Sequence, residues 1–387
     1  MFGLGKAQEK IVAVADVGGG SAGVAIAAIS REGPARIIAS ERSSLPMEKR
    51  TLDASAVGVI AELGKAAAKA LSVYAAKQEG RERAITESYA IIRSPWSNSK
   101  TIHAETKAPE DRRVDKRLIS ALAEEAVRGD TEFAHAKTLE ASIVRVELNG
   151  YATAHPEGKL ANRIAVSALL SDCEPKIRFG VSQTMMKVFG TPPPSLRSGV
   201  RALIAVLVEN ELLRKDCLIV AMSSHTTSLI VIRKGTVAEI YHVPEGSWTI
   251  VKRIAREKMP EEVMSLIRLL ALDQCEGGAC EDIQAAMAKA EPELVKSFGE
   301  GLVKLSASRR VPNTLILLVP DDLSPWLLQF FSRIDFGQFT TTTRPLAPQK
   351  VARSEFSKTL SFDKDVKPDS SLSIACALVN IEAHTRS

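Results

Sequence analysis

Residues 10–21 read KIVAVADVGGGS, an apolar run that enters a glycine-rich loop. The apolar part, Ile11 to Ala15, has the length and composition of a short buried strand. Val24 to Ile29 and Arg36 to Ser40 supply the second and third strands of a meander. A strand that ends in Asp and enters small residues offers backbone N–H groups to phosphate oxygens. The carboxylate of Asp16 is placed to hold hydrated Mg²⁺, so the stretch predicts a nucleotide phosphate loop.

The same order of elements returns in the second half of the chain. Leu218 to Val220 is an apolar run, and the small polar loop Ala-Met-Ser-Ser-His-Thr-Thr follows it at residues 221–227. Leu229 to Ile232 and Val237 to Val243 are the next two strands, and each unit is followed by a helical pattern. This shared order indicates duplication of one unit. The chain is therefore predicted to be an α/β protein with two similar lobes that face each other across a cleft.

Further elements lie between and after the two units. Tyr89 to Ile92 is predicted as a strand that leads to Ser94-Pro95-Trp96, and a polar stretch follows. A helix over 115–127 and strands at 142–148 and 164–170 indicate a small α+β insertion within the first lobe. The other predicted elements are helices at 54–77, 174–188, 195–209 and 249–258, a mostly helical stretch at 261–305, a strand at 314–319 and a closing core helix at 370–381 that returns to the first lobe.

Composition and length exclude several classes of protein. With 387 residues and 45% hydrophobic residues, the chain is long enough for two or more domains with a sizeable core. No apolar stretch approaches the roughly 20 residues that span a bilayer, and the start is not a secretory signal, so we expect a cytoplasmic protein without direct membrane insertion. The net charge of +5 is small against 51 basic and 46 acidic residues. Because no basic run carries interleaved aromatic residues, nucleic-acid binding is not expected.

The five cysteines are predicted to be reduced. Their number is odd, and several of them lie in apolar stretches, which is typical of core thiols rather than of a disulfide framework. Cys275 and Cys280 have no second pair of Cys or His residues nearby in the sequence. A zinc site is therefore not expected at these two residues.

Three features near or between the loops allow two interpretations each. His225 is either a catalytic or phosphate-binding imidazole or a turn residue that faces water, and the second is favoured because no acid is close in sequence to orient the ring. Trp96 is either an exposed anchor for a partner, or a hinge or core plug beside Pro95 at the end of a strand. The basic cluster at residues 112–117 either contacts lipid headgroups or forms a solvated helix face, and the solvated face is favoured.

Four stretches carry a likeness to a known family. They are Met-Phe-Gly-Leu at residues 1–4, the first loop within Ile11 to Ser21, the second unit from Cys217 to Ile254 with its turn Pro244-Glu245-Gly246, and the small-residue closing helix around Ser373 to Leu378. In this order they resemble the FtsA/PilM group of the actin-like ATPases. The resemblance implies an actin-like (ribonuclease H-like) duplicated two-lobed fold. It divides the chain into a first lobe (8–97, 167–213 and 366–387), a small α+β insertion subdomain (98–166) and a second lobe (214–365).

The resemblance also implies a nucleotide site between the two loops, in which Asp16 is in addition the Mg²⁺ ligand. The implied cofactor-binding residues are Asp16, Gly18, Gly19, Gly20, Ser21, Ser223, Ser224, His225, Thr226, Thr227 and Gly246. The family usually has acids where this chain has Ala221 and Ser228, and a glycine-rich adenosine loop where it has Pro320. Without those carboxylates, Mg²⁺ and the charge that develops on phosphate have fewer partners. The chain is therefore predicted to bind ATP and Mg²⁺ weakly or not at all, and not to act as an enzyme.

Two functions follow from the resemblance. The first is a cytoplasmic pseudo-ATPase scaffold of type IV pilus assembly, held at the inner membrane by the cytoplasmic tail of a membrane partner. The second is an active, ATP-hydrolysing FtsA-like cell-division protein that polymerises by self-association. Only six residues follow Ile381, so the amphipathic membrane helix that ends typical FtsA proteins is not expected, which favours the pilus role. A small-molecule kinase needs a carboxylate general base in the cleft, and we identify none in the sequence.

Overall fold

The computed structural model describes residues 9–30, 32–78, 83–153, 155–351, 353–356 and 358–385. The strands of these residues are β1 Lys10–Val17, β2 Ser21–Ile29, β3 Ala35–Ser44, β4 Glu87–Ile92, β5 Ser99–Arg113, β6 Thr138–Leu148, β7 Tyr151–Ala152, β8 Leu160–Asp172, β9 Ser195–Ser198, β10 Cys217–Met222, β11 Thr227–Arg233, β12 Thr236–Val243, β13 Thr314–Leu318, β14 Ala347–Lys350 and β15 Leu360–Phe362. The helices are α1 Leu52–Ala76, α2 Lys116–Arg128, α3 Pro175–Phe189, α4 Gly199–Glu209, α5 Ser247–Ala255, α6 Pro260–Ala271, α7 Gly278–Ser306, α8 Ser324–Arg333 and α9 Ser370–Thr385.

The sheet of the first lobe has six strands in the order β15-β3-β2-β1-β4-β9. β1, β2 and β3 form an antiparallel meander, and β4 pairs with β1 in parallel. β1 and β2 are apolar on both faces because helices cover both of them. α1 and α3 pack on one face, and α4 and α9 pack on the other. The predicted return of the closing helix to the first lobe is confirmed.

The sheet of the second lobe repeats this arrangement in the order β12-β11-β10-β13-β14. β10, β11 and β12 form the meander, and β13 pairs with β10 in parallel, as β4 pairs with β1. The predicted duplication is therefore confirmed. Helices α5 to α8 cover one face of this sheet. α4 lies between the lobes, with Ala202 and Val206 in the first-lobe core and Leu203 and Leu207 against the second sheet.

A four-stranded antiparallel sheet, β5-β8-β6-β7, forms the insertion, and α2 packs on it. Glu140 of β6 anchors this sheet to the first lobe, because its carboxylate lies 2.6 Å from Nη1 of Arg201 and 3.8 Å from Nε of Arg197. Both arginines also pair with Glu382 of α9 at 2.8 Å. On the other side, Nε2 of His242 in the second lobe donates a hydrogen bond to the carbonyl oxygen of Ser99 (3.0 Å). The insertion therefore contacts both lobes.

Two predicted elements were wrong in part. The stretch after Trp96, predicted as merely polar, is β5, whose charged side chains alternate with inward ones because it is an edge strand that pairs only with β8. The predicted helix at 195–209 begins four residues late, because Ser195–Ser198 pairs with β4 as β9. The hydroxyl of Ser198 then caps α4 by accepting from the backbone N–H of Arg201. The domain bounds given above remain a prediction.

The prediction of five reduced cysteines was also wrong. Cys275 and Cys280 form a disulfide, with their Cα atoms 5.8 Å apart, while Cys173, Cys217 and Cys376 are free and buried. The physical reason is the turn before α7, where Gly277 adopts a φ of +84° and reverses the chain so that the two side chains meet. Across the described residues, no helix is both long enough and apolar enough to cross a membrane.

Candidate functional site

The loops that follow β1 and β10 have the same closing hydrogen bond. In the first loop, the backbone N–H of Gly18 donates to the carbonyl oxygen of Ser21 (3.0 Å). In the second loop, the backbone N–H of Ser223 donates to the carbonyl oxygen of Thr226 (2.8 Å). Each loop connects the first two strands of its meander, so the duplicated hairpin places them at equivalent ends of the two sheets. The cleft between the lobes brings them together.

The two loops touch each other directly. A methyl group built on Gly19 would lie 2.7 Å from Nδ1 of His225 and 2.7 Å from Cδ of Pro95, so only glycine fits there. A methyl group built on Gly20 would lie 3.2 Å from Oγ of Ser224. The glycines thus allow the backbone of the first loop to approach the second loop closely. In an open phosphate loop the same glycines leave room for a ligand.

His225 ties the second loop to the first lobe. Its side chain is buried at 8% exposure, and its Nε2 donates a hydrogen bond to the carbonyl oxygen of Arg50 (2.6 Å). The hydroxyls of Ser94 and Thr226 form a second hydrogen bond across the cleft. Burial lowers the pKa of His225, the bond to the Arg50 carbonyl opposes this shift, and the charge of Arg50 adds to it. The favoured prediction that His225 faces water is wrong, because Gly19 leaves room for the ring against the first loop.

Asp16, at the end of β1, is 1% exposed and is paired with two arginines. Its Oδ2 accepts hydrogen bonds from Nη2 of Arg42 (2.7 Å) and from Nη2 of Arg93 (2.9 Å). Its Oδ1 lies 2.8 Å from Nε of Arg93. Arg42 reaches Asp16 from β3 across Gly23 of β2, where a methyl group would lie 2.9 Å from Nη2 of Arg42. Nη1 of Arg42 also donates to Oγ of Ser21 (3.0 Å).

A second carboxylate completes this charge cluster. Asp369, at the start of α9, accepts a hydrogen bond from Nη2 of Arg42 (3.0 Å) and one from the backbone N–H of Leu372 (2.9 Å). Burial acts to raise the pKa of Asp369, but the hydrogen bonds and charge of Arg42 outweigh it, and the pKa lies below its ordinary value. Burial likewise acts to lower the pKa of Arg42, but Asp16 and Asp369 outweigh it and raise the pKa. Both partners are therefore ionised at neutral pH.

The Mg²⁺ and phosphate that the resemblance implies do not fit this arrangement. Magnesium takes carboxylate oxygens and waters in a near-octahedral shell, whereas Oδ2 of Asp16 accepts hydrogen bonds from two guanidinium groups. Oδ1 accepts no hydrogen bond from the described residues, but the positively charged Nε of Arg93 lies 2.8 Å from it. A phosphate between the loops would need the space in which Gly19 meets His225. Across the described residues, no group of three or more acidic, His or Cys side chains is arranged to hold a metal ion.

The second loop also rests on the turn before α5. A methyl group built on Gly246 would lie 2.4 Å from the carbonyl oxygen of Ser224, so the turn and the loop are in backbone contact. The hydroxyl of Thr227 donates to the carbonyl oxygen of Glu245 (2.6 Å). The carboxylate of Glu245 is buried, accepts a hydrogen bond from Thr249 Oγ1 (3.0 Å) and pairs with Arg253. This acid, which sequence reasoning placed only in a turn, is engaged and is not a free general base.

Trp96 packs in the core of the first lobe and contacts the first loop. Its ring is 6% exposed, and its indole N–H donates a hydrogen bond to the carbonyl oxygen of Gly18 (2.9 Å). The core-plug interpretation is therefore confirmed. The structure thus gathers the predicted loop residues in one place, and their role in cofactor binding remains a prediction.

Sequence reasoning missed four charged residues of the cleft: Arg42, Arg50, Arg93 and Asp369. Arg93 follows β4, which runs parallel to β1 with Ile91 opposite Asp16, so the strand pairing itself gives a signal. The Asp-Ser-Ser sequence at residues 369–371 is a helix N-terminus signal that points to Asp369. No local pattern marks the two arginines at residues 42 and 50.

Comparison of the structure with solved structures identifies the fold. The chain is similar to a chain of the PilM–PilN type IV pilus biogenesis complex, with 15% identity, a TM-score of 0.59, and coverage of 96% of this chain and 98% of that chain. This chain has the actin-like fold. Other actin-like similarities are weaker: the ethanolamine utilization protein EutJ from Carboxydothermus hydrogenoformans has 12% identity and a TM-score of 0.44, over 96% of this chain and 89% of that one.

A third similar structure is a Bacteroides thetaiotaomicron protein described as having an actin-like ATPase fold and unknown function. It has 8% identity and a TM-score of 0.31, over 84% of this chain and 98% of that one. No family model matches the sequence, and no curated protein matches it at a significant level. The actin-like fold that the family resemblance implies is confirmed.

Proposed function

We propose that this chain is an actin-like scaffold of the PilM type that does not hydrolyse ATP. The observation that carries the proposal is the engagement of Asp16 by Arg42 and Arg93, next to a first loop closed by His225. An ATPase of this fold needs a carboxylate to position Mg²⁺ and space for phosphate between its loops. In this chain the arginines supply the positive charge that a metal would supply, and the His225 ring fills the space.

The proposed partner is the cytoplasmic tail of an inner-membrane protein, in type IV pilus assembly. The fold similarity to a chain of the solved PilM–PilN complex supports this proposal. The proposed location is the cytoplasmic face of the inner membrane, reached through the partner rather than through a helix of this chain. A scaffold in this position has to present a constant binding surface to its partner and does not have to hydrolyse ATP.

Calorimetric titration of the purified chain with MgATP tests whether the cleft binds the nucleotide that hydrolysis requires. We expect no heat beyond that of dilution. We also expect no rise in melting temperature, whereas a ligand that did bind, at 100 times its Kd, would stabilise the fold by about 2.7 kcal/mol. The same titration of Asp16→Ala is the control. Micromolar, Mg²⁺-dependent binding by the wild type that the variant loses would overturn the proposal.

Binding to a synthetic tail peptide tests the scaffold part. The probe is the cytoplasmic tail of a PilN-type protein encoded in the same genome, and the control is a scrambled peptide of the same composition. We expect saturable binding that MgATP does not change. No saturable binding up to about 0.1 mM peptide would contradict the proposed partner.

The second candidate function is nucleotide or phosphate binding by an FtsA-like, self-associating protein, and Arg50 favours it. Arg50 lies beside Gly20, and its Nε donates to the carbonyl oxygen of Leu45 (3.0 Å). Burial lowers the pKa of Arg50, and the charge of Glu261 opposes the shift. Within the described part of the chain Arg50 forms no ion pair, so an anion would be a favourable neighbour. Binding of inorganic phosphate that Arg50→Gln removes would favour this candidate.

A further inference from the structure

The connection between α6 and α7 carries the only two cysteines that meet in the described chain. Cys275 lies in the loop and is partly exposed, and Cys280 is the third residue of α7. The loop turns through two left-handed positions, Asp273 at φ +56° and Gly277 at φ +84°. It is held to the end of α6 by a hydrogen bond from the backbone N–H of Gln274 to the carbonyl oxygen of Leu269 (2.9 Å). Cys275 is thus the sulfur of the pair that reaches the surface of the second lobe, whereas Cys280 is 6% exposed.

The other three cysteines are in a different environment. Cys173, Cys217 and Cys376 are buried in cores of the two lobes, each without a second sulfur to pair with. Burial raises the pKa of Cys173 to about 11 and that of Cys217 to about 12, and it also raises the pKa of Cys376. Neutral buried thiols react slowly with oxidants. These three cysteines therefore serve as internal controls.

We propose that Cys275 and Cys280 form a reversible redox site that exchanges with small disulfides of the glutathione type and with protein dithiols. Disulfides are rare in the cytoplasm proposed for this chain, and those that occur there are usually transient or redox-sensing. Cys275 is the attacking thiol, because it is the partly exposed sulfur of the pair and a disulfide in solution can reach it. Cys280 is the resolving thiol, because it is buried and the loop holds it within bonding distance of Cys275. The inference rests on the cytoplasmic location proposed above, but it needs neither the pilus partner nor a nucleotide.

The oxidation proceeds in two exchanges. The Cys275 thiolate attacks one sulfur of glutathione disulfide, forms a mixed disulfide and releases one glutathione thiolate. The Cys280 thiolate then attacks the Cys275 sulfur, closes the intramolecular bond and releases the second glutathione. Two protein thiols are oxidised, one glutathione disulfide is reduced, and the two thiol protons pass to the two glutathione thiolates. Reduction by a dithiol is the reverse sequence, with the dithiol oxidised in turn.

The bond fixes the start of α7. Cys280 is followed by Ile283 and Met287, which pack in the core of the second lobe, so the rest of the helix is held by apolar burial. The first turn and the loop before it are exposed at Glu276, Gly277 and Gly278. Two adjacent glycines leave this segment with little intrinsic helical preference. Reduction therefore frees the loop and the first turn while the core of the lobe stays folded.

Thiol counting by mass spectrometry tests the proposal. The full chain is equilibrated in glutathione buffers of graded ratio, alkylated without unfolding, and then alkylated with a second reagent after unfolding. We expect one pair, Cys275 and Cys280, to change oxidation state with the buffer while the other three thiols stay reduced. An unchanged pair, or equal oxidation of the three buried cysteines, would overturn the proposal.

Single serine variants test the order of attack. Cys280→Ser removes the resolving thiol, so we expect glutathione to be trapped on Cys275. In Cys275→Ser we expect modification of Cys280 to be at least about ten-fold slower, because that thiol is buried. Equal rates in the two variants would contradict the assignment of Cys275 as the attacking thiol.

Limited digestion by a Glu-specific protease tests the structural consequence. We expect cleavage after Glu276 to be about ten-fold faster in the reduced chain than in the oxidised chain, because the freed loop opens more often. The Cys275→Ser, Cys280→Ser double variant is the matched control, and its cleavage should be fast and insensitive to the buffer. Equal cleavage of oxidised and reduced wild type would show that the bond does not hold the loop.

Discussion

Asp16 is the residue at which this chain differs most from a nucleotide-binding site. Its carboxylate is almost fully buried, and three atoms of two arginines surround its oxygens. A buried carboxylate is tolerated when opposite charges and hydrogen bonds replace its lost hydration. Asp16 thus acts as the counter-charge that lets Arg42 and Arg93 enter the cleft.

Replacing Asp16 by Asn removes that charge and keeps the size of the side chain. We expect the free energy of unfolding to fall by about 3 kcal/mol, because breaking a buried ion pair leaves the partner charges uncompensated. Urea denaturation measures the change. The control is Glu105→Gln, which breaks a solvent-exposed pair with Arg163 and should leave the free energy of unfolding nearly unchanged. Equal losses in the two variants would contradict a buried structural role for Asp16.

Gly19 sets how closely the two loops approach. In Gly19→Ala the new methyl group would lie 2.7 Å from both His225 and Pro95, so the loops must separate. We expect a loss of about 1–3 kcal/mol in the free energy of unfolding, as for other overpacked sites. Gly299→Ala is the control, because that glycine lies in α7 with open space around it and should gain up to about 1 kcal/mol. Wild-type stability of Gly19→Ala would show that the loops do not touch in solution.

At the scale of single residues, the sequence identified Asp16 and the two loops of the cleft, but not the other charged residues that contact them. Asp16 and the two loops stand in short local patterns, so they were predicted from the residues alone. Arg42 and Asp369 are 327 positions apart, and their pairing depends on α9 returning to the first lobe. No local pattern carries such a contact. The burial of His225 was missed for the same reason, because the carbonyl group that it binds belongs to Arg50 of the other lobe.

Among the elements, β6 determines how the insertion sits on the first lobe. Glu140 of β6 reaches Arg197 and Arg201, and these two arginines reach Glu382 of α9. The network is partly buried and joins three elements through charge-assisted hydrogen bonds. The position of the insertion sheet therefore depends on a few side chains outside it.

Replacing Glu140 by Gln should loosen this attachment without unfolding the lobe. We expect hydrogen exchange at the backbone of β9 and of the first turn of α4 to become about ten-fold faster, because Glu140 also accepts from the backbone N–H of Ser198 (2.8 Å). Exchange at β1 should not change. Glu147→Gln, on the same strand, is the control. Uniform acceleration through the first lobe would point to general destabilisation instead.

The elements that sequence predicted well have strong apolar periodicity. The two meanders, α1, α3 and α9 were all found near their observed bounds. β5 was missed because it is an exposed edge strand, in which charged residues occupy the positions that an apolar pattern would mark. β9 was missed because its four residues become a strand only by pairing with β4, a partner that local sequence does not reveal.

For the whole molecule, two histidines at contacts between its parts couple stability to pH; His225 is buried and His242 is half-buried. His225 binds the backbone of Arg50 in the first lobe, and His242 binds the backbone of Ser99 in the insertion. Burial lowers the pKa of both rings below the ordinary value of 6.5. The hydrogen bond to the Arg50 carbonyl opposes this shift for His225. The hydrogen bond to Ser99 and the charge of Asp172 oppose it for His242. As pH falls below about 6.5, the unfolded chain takes up protons that the folded chain does not. Stability is therefore lost as the solution is acidified.

We expect the free energy of unfolding to fall by about 1–2 kcal/mol between pH 7.5 and pH 5.5, since each pKa unit contributes about 1.4 kcal/mol. Chemical denaturation at a series of pH values measures the slope. In the His225→Gln, His242→Gln double variant the slope should largely disappear over this range. His155→Gln, at an exposed position, should keep it. A slope unchanged in the double variant would assign the pH dependence to other groups.

The return of β15 and α9 to the first lobe has a consequence during synthesis on the ribosome. The second lobe is encoded by a continuous stretch from β10 to β14, so it can close while translation continues. The first lobe begins to emerge earlier but needs β15 beside β3 and α9 over its sheet, and both are made after the second lobe. Until then β3 is an open edge strand and an apolar sheet face is bare, which is the kind of surface that chaperones bind. The lobe that is translated first is therefore the lobe that finishes folding last.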